Sequence, residues 1–262
     1  MNGKRDLIHS LSMIAGIIII FFIVYPIFIL VGTTDYEILG ETIRDNAVMD
    51  AIWTSLSTGS IATLISAFLG VPLAYILARF EFKGKSIIES ILDIPLVIPH
   101  TVVGIMLLSM LSPRSSLGKI LEFIGLEVIG TKRGIVLAMM FVSLPLMISS
   151  AKNAFLGVSS KMENVSRSLG ATHIQTIKNV TLPNAYRGIL TGMILTWARS
   201  ISEFGAVVIL AYHPMIAPTI IFDRFNSYGL KYSKPISLIL IIISLVIFIV
   251  FRMLTMKGDN HD

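Results

Sequence analysis

Glu163-Asn-Val-Ser-Arg-Ser-Leu-Gly170-Ala-Thr-His-Ile-Gln-Thr-Ile-Lys-Asn-Val180-Thr-Leu182-Pro183 separates two long apolar runs and reads as two short helices joined at a glycine. Just before it, Ser160-Lys161-Met162-Glu163 has the S-x-x-E spacing of a capping box, in which side chains satisfy a helix's first free backbone N–H groups. Thr172-His173-Ile174-Gln175 repeats the device as T-x-x-Q. Gly170 lies between them, where a helix end favours a left-handed residue. Pro183 has no N–H and disfavours helix at Leu182, so the second helix is expected to end near Thr181. The apolar residues are spaced for one face of each helix: Met162, Val165 and Leu169, then Ile174, Ile177 and Val180 or Thr181. Lys161, Arg167, Gln175 and Lys178 take the opposite faces. Such a pair either lies on a membrane surface or docks into a groove on a partner, and periodicity alone does not choose.

Outward from this segment the chain is apolar: 54% of its 262 residues are hydrophobic and only 14% are charged, with mean hydropathy +0.82. A soluble domain carries about a quarter charged residues. Each charge at a bilayer centre costs about 2.5–3.5 kcal/mol, so a lipid-facing surface sheds them. Six segments approach the ~20 apolar residues that cross a bilayer. They run from about Ser10 to Thr34, Ala51 to Ala78, Ile94 to Pro113, Gly134 to Ala151, Tyr186 to Ala211 and Pro235 to Phe251. Lys4-Arg5 before the first run suggests a secretory signal. The run is too long, however, and no small-residue cleavage site closes it before Asp35, so it reads as a retained helix.

Lys and Arg on alternate sides set the orientation. Lys4, Arg5, Arg79, Lys83, Lys85, Lys152, Lys161, Arg167, Lys178, Arg187, Arg252 and Lys257 fall on one side. Arg44, Arg114, Lys119, Lys132, Arg133, Arg224, Lys231 and Lys234 fall on the other. The excess on the first side places both termini in the cytoplasm. The net charge of +5 is then a topology signal, and no nucleic-acid partner is expected. The short tail after Arg252 predicts no regulatory domain on this chain.

Several chemistries find no residues here. The chain has no cysteine, and His9, His100, His173, His213 and His261 have no metal-ligand spacing, so no metal site is expected. Lys83-Gly84-Lys85-Ser86 contains Gly-Lys-Ser, but Arg79 stands where a phosphate loop requires glycine. An intramembrane enzyme would need paired catalytic groups at depth, and no aspartate lies within a span except Asp93 at the edge of the third.

The segment from Glu163 to Pro183 resembles the EAA loop of ATP-binding-cassette importer permeases, whose pattern is Glu-Ala-Ala, three residues, Gly, nine residues, Ile, one residue, Leu-Pro. Gly170, Leu182 and Pro183 fall in register, and Val180 replaces the Ile. Asn164-Val165-Ser166 stands where Glu-Ala-Ala is usual, and Glu163 occupies the acidic position that often precedes it. The resemblance implies an all-α, type I importer permease fold. It also implies a single transmembrane domain over 1–262, with its membrane core at about 51–254 and a cytoplasmic coupling loop at about 157–184. Glu163, Ser166, Leu169, Gly170, Ala171, Thr172 and Ile174 would then meet an ATPase subunit, with simple capping as the other reading of Glu163. Implied partners are a second permease copy, two ATP-binding subunits that carry ATP and magnesium, an extracytoplasmic oxyanion-binding protein and the lipid bilayer. This chain itself would bind no cofactor and hydrolyse nothing.

Arg199-Ser-Ile-Ser-Glu203-Phe-Gly205-Ala-Val-Val-Ile-Leu-Ala-Tyr-His-Pro214 resembles the fifth helix of the sulfate, molybdate and tungstate branch. Ala217-Pro218-Thr-Ile-Ile-Phe-Asp-Arg-Phe225 is similar to its molybdate/tungstate subgroup, and Ile94-Pro95-Leu-Val-Ile-Pro99-His100-Thr-Val-Val-Gly104 to its third-helix signature. A molybdate or tungstate importer subunit in the cell membrane is implied, with a sulfate importer or an ATP-independent anion transporter as alternatives. Pro99, His100, Arg199, Glu203 and Gly205 are the candidate translocation path. Pro95 and Pro99 either break a pore-lining helix or begin an ordinary one. Arg199 and Glu203, spaced i, i+4, either serve the anion or form a structural salt bridge. His100 either meets the anion or is simply hydrogen-bonded. Gly188 and Gly192 form a small-xxx-small pair suited to close helix packing.

Overall fold

The computed structural model describes residues 2–256, with side chains over 9–253. Lys257 and His261 lie outside the described residues, as do the side chains of Lys4 and Arg5. Every regular element described is helical. The chain opens with α1 (Asn2–Thr33), α2 (Tyr36–Arg44) and α3 (Asn46–Arg79), then α4 (Lys85–Val97), α5 (His100–Leu111), α6 (Ser116–Phe123) and α7 (Lys132–Gly157). There follow α8 (Ser160–Ser168), α9 (His173–Thr176), a π-helical turn (Ile177–Thr181), α10 (Leu182–Ile201), α11 (Gly205–Leu210), α12 (Ala217–Tyr228) and α13 (Leu230–Met256).

Among these, α1, α3, α7 and α13 are each long and apolar enough to cross a bilayer, and α4 with α5 is so only as a pair, bent by 110° into a broken span or a re-entrant loop. The 20 residues of α10 reach about 30 Å, a bilayer's hydrocarbon thickness. Arg187 and Arg199 make it the most polar of the expected spans. Burial ranks them: 56% of the most apolar stretch of α7 and 39% of that of α3 are buried, against 17% in α13 and none in α1. α7 and α3 are therefore the central pair. α1 exposes Ile18, Phe22 and Phe28 to what a bilayer supplies as solvent.

Three apolar clusters hold this frame. Val103, Leu107, Ile135, Met139, Val142, Val207 and Leu210 join α5, α7 and α11. Ala74, Leu77, Met147, Phe155 and Ala185 join α3, α7 and α10. Val48, Ile52, Ala217, Ile220 and Ile236 join the start of α3 to α12 and α13. Gly188 and Gly192 are used within the chain: a Cβ on Gly192 would lie 2.7 Å from Ser150 Cβ, and one on Gly188 would collide with Ala154 on α7. The ends of the frame carry separate ion pairs. Arg79–Glu163 and Lys152–Glu89 lie at one end of α3, and Arg224–Asp45 at the other.

Two expected spans are not single rods. The stretch from Ile94 to Pro113 divides at Ile98 and Pro99, because Pro99 lacks an N–H and holds Ile98 extended at ψ 133°. The stretch from Tyr186 to Ala211 divides at Ser202–Phe204, and α11 starts afresh at Gly205. No proline causes this second break. The Glu203 side chain accepts from the Ala206 N–H at 2.9 Å and so caps the new helix.

Candidate functional site

The loop between α7 and α10 is two helices closed by a glycine turn. Gly170 has φ 92°, a left-handed value, with its N–H donating to the Arg167 carbonyl at 3.0 Å and that of Ala171 to Ser166 at 3.2 Å. The capping box of α9 is formed: Gln175 N–H donates to Thr172 Oγ1, and Thr172 N–H to Gln175 Oε1. The box expected at Ser160 and Glu163 is not. Ser159, not Ser160, is the N-cap of α8 and makes no side-chain cap bond; the helix starts one residue early, so Met162 holds the box position and Glu163 lies one place beyond it. Its Oε1 accepts from Arg79 Nε and Nη2 at 3.1 and 2.8 Å and from Thr181 Oγ1 at 2.7 Å.

The second helix also does not end near Thr181. The chain stays helical through Pro183 into α10 by way of the π turn, in which Leu182 N–H donates to the Ile177 carbonyl. The wider turn falls next to the residue that lacks a donor. Ser166 Oγ and Thr176 Oγ1, 3.2 Å apart, tie α8 to α9. Against this polar inner side the outer side is bare and apolar: Leu169 is 84% exposed and Ile174 77%, with Met162 and Val165 also exposed.

The second constellation forms where the two helix breaks meet. Arg199 Nη2 lies 2.9 Å from Glu203 Oε2 and 2.7 Å from His100 Nε2, and His100 Nδ1 is 3.5 Å from Glu203 Oε2. A guanidinium only donates, so a ring nitrogen of His100 accepts from it; Nη2 is 2.7 Å from Nε2 and 3.2 Å from Nδ1. Glu203 is 1% exposed, while Arg199 and His100 keep open sides. Pro99 caps α5 and delivers His100 at its first position. Gly205 allows the approach, since a Cβ there would sit 2.8 Å from His100 Cβ. The structure thus brings Pro99, His100, Arg199, Glu203 and Gly205 together. The residues of the loop between α7 and α10 gather separately.

The family described as "Binding-protein-dependent transport system inner membrane component" matches residues 70–256. The chain belongs to this family. It is therefore a multi-pass membrane permease subunit of such a transport system. It is 42% identical over 259 residues to the molybdate/tungstate transport system permease protein WtpB of Pyrococcus furiosus, covering 98% of this chain and 99% of that one. With a probable sulfate transport system permease protein of Chlorokybus atmophyticus it shares 32% over 248 residues, covering 92% and 86%. Its fold matches a chain of the bacterial alginate ABC transporter in complex with an alginate pentasaccharide-bound periplasmic protein. That match has a TM-score of 0.78 at 18% identity and covers 98% and 96% of the two chains. These matches agree with the type I importer permease fold implied by the loop.

Two side chains of this membrane permease escaped the sequence reading. Arg79 counted only as a topology charge and as a mismatch to the phosphate-loop pattern, and Tyr75 not at all. Tyr75 OH lies 3.3 Å from His173 Nε2. The available signal was their i, i+4 spacing at the inner end of a charge-free span.

Proposed function

We propose that this permease is the membrane subunit of an ATP-driven importer that moves molybdate or tungstate inward by alternating access. It would act as a homodimer with two ATP-binding subunits, which carry the ATP and magnesium, and with an extracytoplasmic oxyanion-binding protein. The observation that carries this reading is the coupling loop. A capped, glycine-jointed helix pair presents the apolar stripe Met162, Val165, Leu169 and Ile174 to the outside while its polar side is fastened to α3. An amphipathic helix pair of that kind fits a groove on a partner. Residues 157–184 are the segment we assign to that contact, with Glu163 and Ser166 turned inward and Leu169, Gly170, Ala171, Thr172 and Ile174 shaping the outer surface. The rest of the chain acts as one transmembrane domain.

The cargo reading is supported by identity to molybdate/tungstate permeases of 42% over 98% of this chain. Sulfate is the second reading, supported by the 32% match. On the translocation path, Arg199 supplies the positive charge and its open side, His100 adds a ring that changes partners, and Glu203 offsets the charge so that a passing anion is not trapped. Pro99 and Gly205 supply the break and the close approach that bring these groups together.

The test is ATP hydrolysis by this chain copurified with its candidate ATPase subunit in liposomes, with binding protein loaded with molybdate, tungstate or sulfate. Stimulation by loaded binding protein is expected, strongest with molybdate or tungstate. Stimulation by sulfate alone would move the cargo to the second reading. Failure of any ATPase to associate would overturn the importer assignment.

A further inference from the structure

The loop is fastened to the membrane helices through one stripe of α3. Arg79 donates to Glu163 on α8 and, at 3.0 Å, to the Val158 carbonyl at the entrance to the loop. Glu163 in turn accepts from Thr181 at the loop's exit. One helical turn earlier, Tyr75 meets His173 at the start of α9, and its ring packs edge-on against Phe155 of α7 at 5.4 Å. Residues i and i+4 share a helix face, so the last two turns of α3 hold α8, α9 and both ends of the loop. Arg79 and Glu163 are each 11% exposed at the side chain. At that burial a pair is directional and costly to break.

α3 is long enough to carry a displacement. Its 34 residues span about 51 Å, against about 30 Å of hydrocarbon, so its inner end reaches past the bilayer core to the loop. At its outer end Asp45, the N-cap, is paired with Arg224 of α12 at 2.8 Å. Between the ends, Ser55 Oγ accepts from Ala217 N–H at 2.7 Å. α12 is thereby bound to the same rod that holds the loop.

We propose that Tyr75 and Arg79 are positioning residues of the coupling loop. They make α8 and α9 move as one body with α3, so that displacement of the loop by its partner is delivered to α3 and onward to α12. The proposal rests on the reading of residues 157–184 as the surface that meets the ATPase. A pair that served folding alone would hold the loop equally well but would leave the response of assembled complexes unchanged, and that difference is measurable.

The experiment compares wild type with Arg79→Gln, Arg79→Gln/Glu163→Gln, Tyr75→Phe and Leu169→Glu. Each is copurified with the ATPase subunit and reconstituted with oxyanion-loaded binding protein. Arg79→Gln is expected to retain the ATPase subunit while binding-protein stimulation per assembled complex falls about ten-fold, within the usual range of coupling between sites. The double variant replaces the ion pair with two amides and keeps an acceptor for Thr181, so it should regain most of the response. Tyr75→Phe keeps the ring contact and loses only the hydroxyl bond, so it should fall less. If Arg79→Gln yields no complex, Tyr75→Phe decides: reduced stimulation upholds the clasp and full stimulation overturns it. Fewer complexes that each respond as wild type would also overturn it. Leu169→Glu separates the two readings. If that variant still assembles and responds, the coupling surface itself is wrong, whatever Arg79 does.

Discussion

Arg79 and Arg199 each hold a glutamate, at 2.8 and 2.9 Å, yet the two pairs are built differently. Arg199–Glu203 is local, four residues apart on α10, and its carboxylate is buried to 1% exposure while the guanidinium keeps an open side. Arg79–Glu163 joins positions 84 apart, and both side chains are equally covered. In the first pair each carboxylate oxygen has its own task, one capping α11 and the other meeting Arg199. In the second, one oxygen gathers every donor from α3 and from the loop's exit. The comparison teaches that charge in this membrane protein is spent in two ways. The local pair leaves a cation accessible beside two broken helices, and the long-range pair fastens the loop to α3.

The largest effect should separate these pairs by stability. Glu203→Ala removes the acceptor of the Ala206 N–H and the buried carboxylate beside Arg199, which keeps His100 and Ser202, and should cost about 3–5 kcal/mol. Glu163→Ala leaves Arg79 bonded to the Val158 carbonyl and should cost about 1–3 kcal/mol. Thermal unfolding in detergent, followed by the fluorescence of Trp53 and Trp197, measures both, and equal losses would erase the distinction. Next, Gly205→Ala should cost about 1–3 kcal/mol, because the added methyl forces His100 away from Glu203. The same assay checks it, and an unchanged midpoint would mean that the two breaks are not tightly joined. Gly170→Ala meets open space, so its expected cost of about 1–2 kcal/mol is backbone strain alone. A larger loss would reveal a contact at the turn. Glu81→Gln is the lower bound. Its pair with Lys85 lies on the surface, with Glu81 89% exposed, and should be worth less than about 0.5 kcal/mol.

What the sequence made legible follows the same division between local and distant partners. The Thr172 and Gln175 box, the left-handed Gly170 and the Arg199–Glu203 stripe depend on neighbours within four residues, and all three are present. The box at Ser160 is absent because α8 starts one residue early, at an N-cap of Ser159, and Glu163, out of box register, turns to Arg79, far away in sequence. The end expected at Thr181 was misread because a π turn carries the helix past Pro183. The break at Pro99 was one of two open readings, and its sharp bend could not be foreseen from the prolines alone. The break at Ser202–Phe204 has no proline to announce it. It depends on Glu203 folding back to cap α11, a choice made by tertiary burial. His100 joined the cluster only because both breaks fall at the same place.

The most direct test of the central claim is uptake of labelled molybdate or tungstate into liposomes holding this permease, its ATPase subunit and external binding protein. Uptake is expected to require ATP on the ATPase side and binding protein on the other, and to be lost in Leu169→Glu. Uptake that proceeds without ATP, or that Leu169→Glu leaves intact, would contradict the account and favour an anion transporter that works alone.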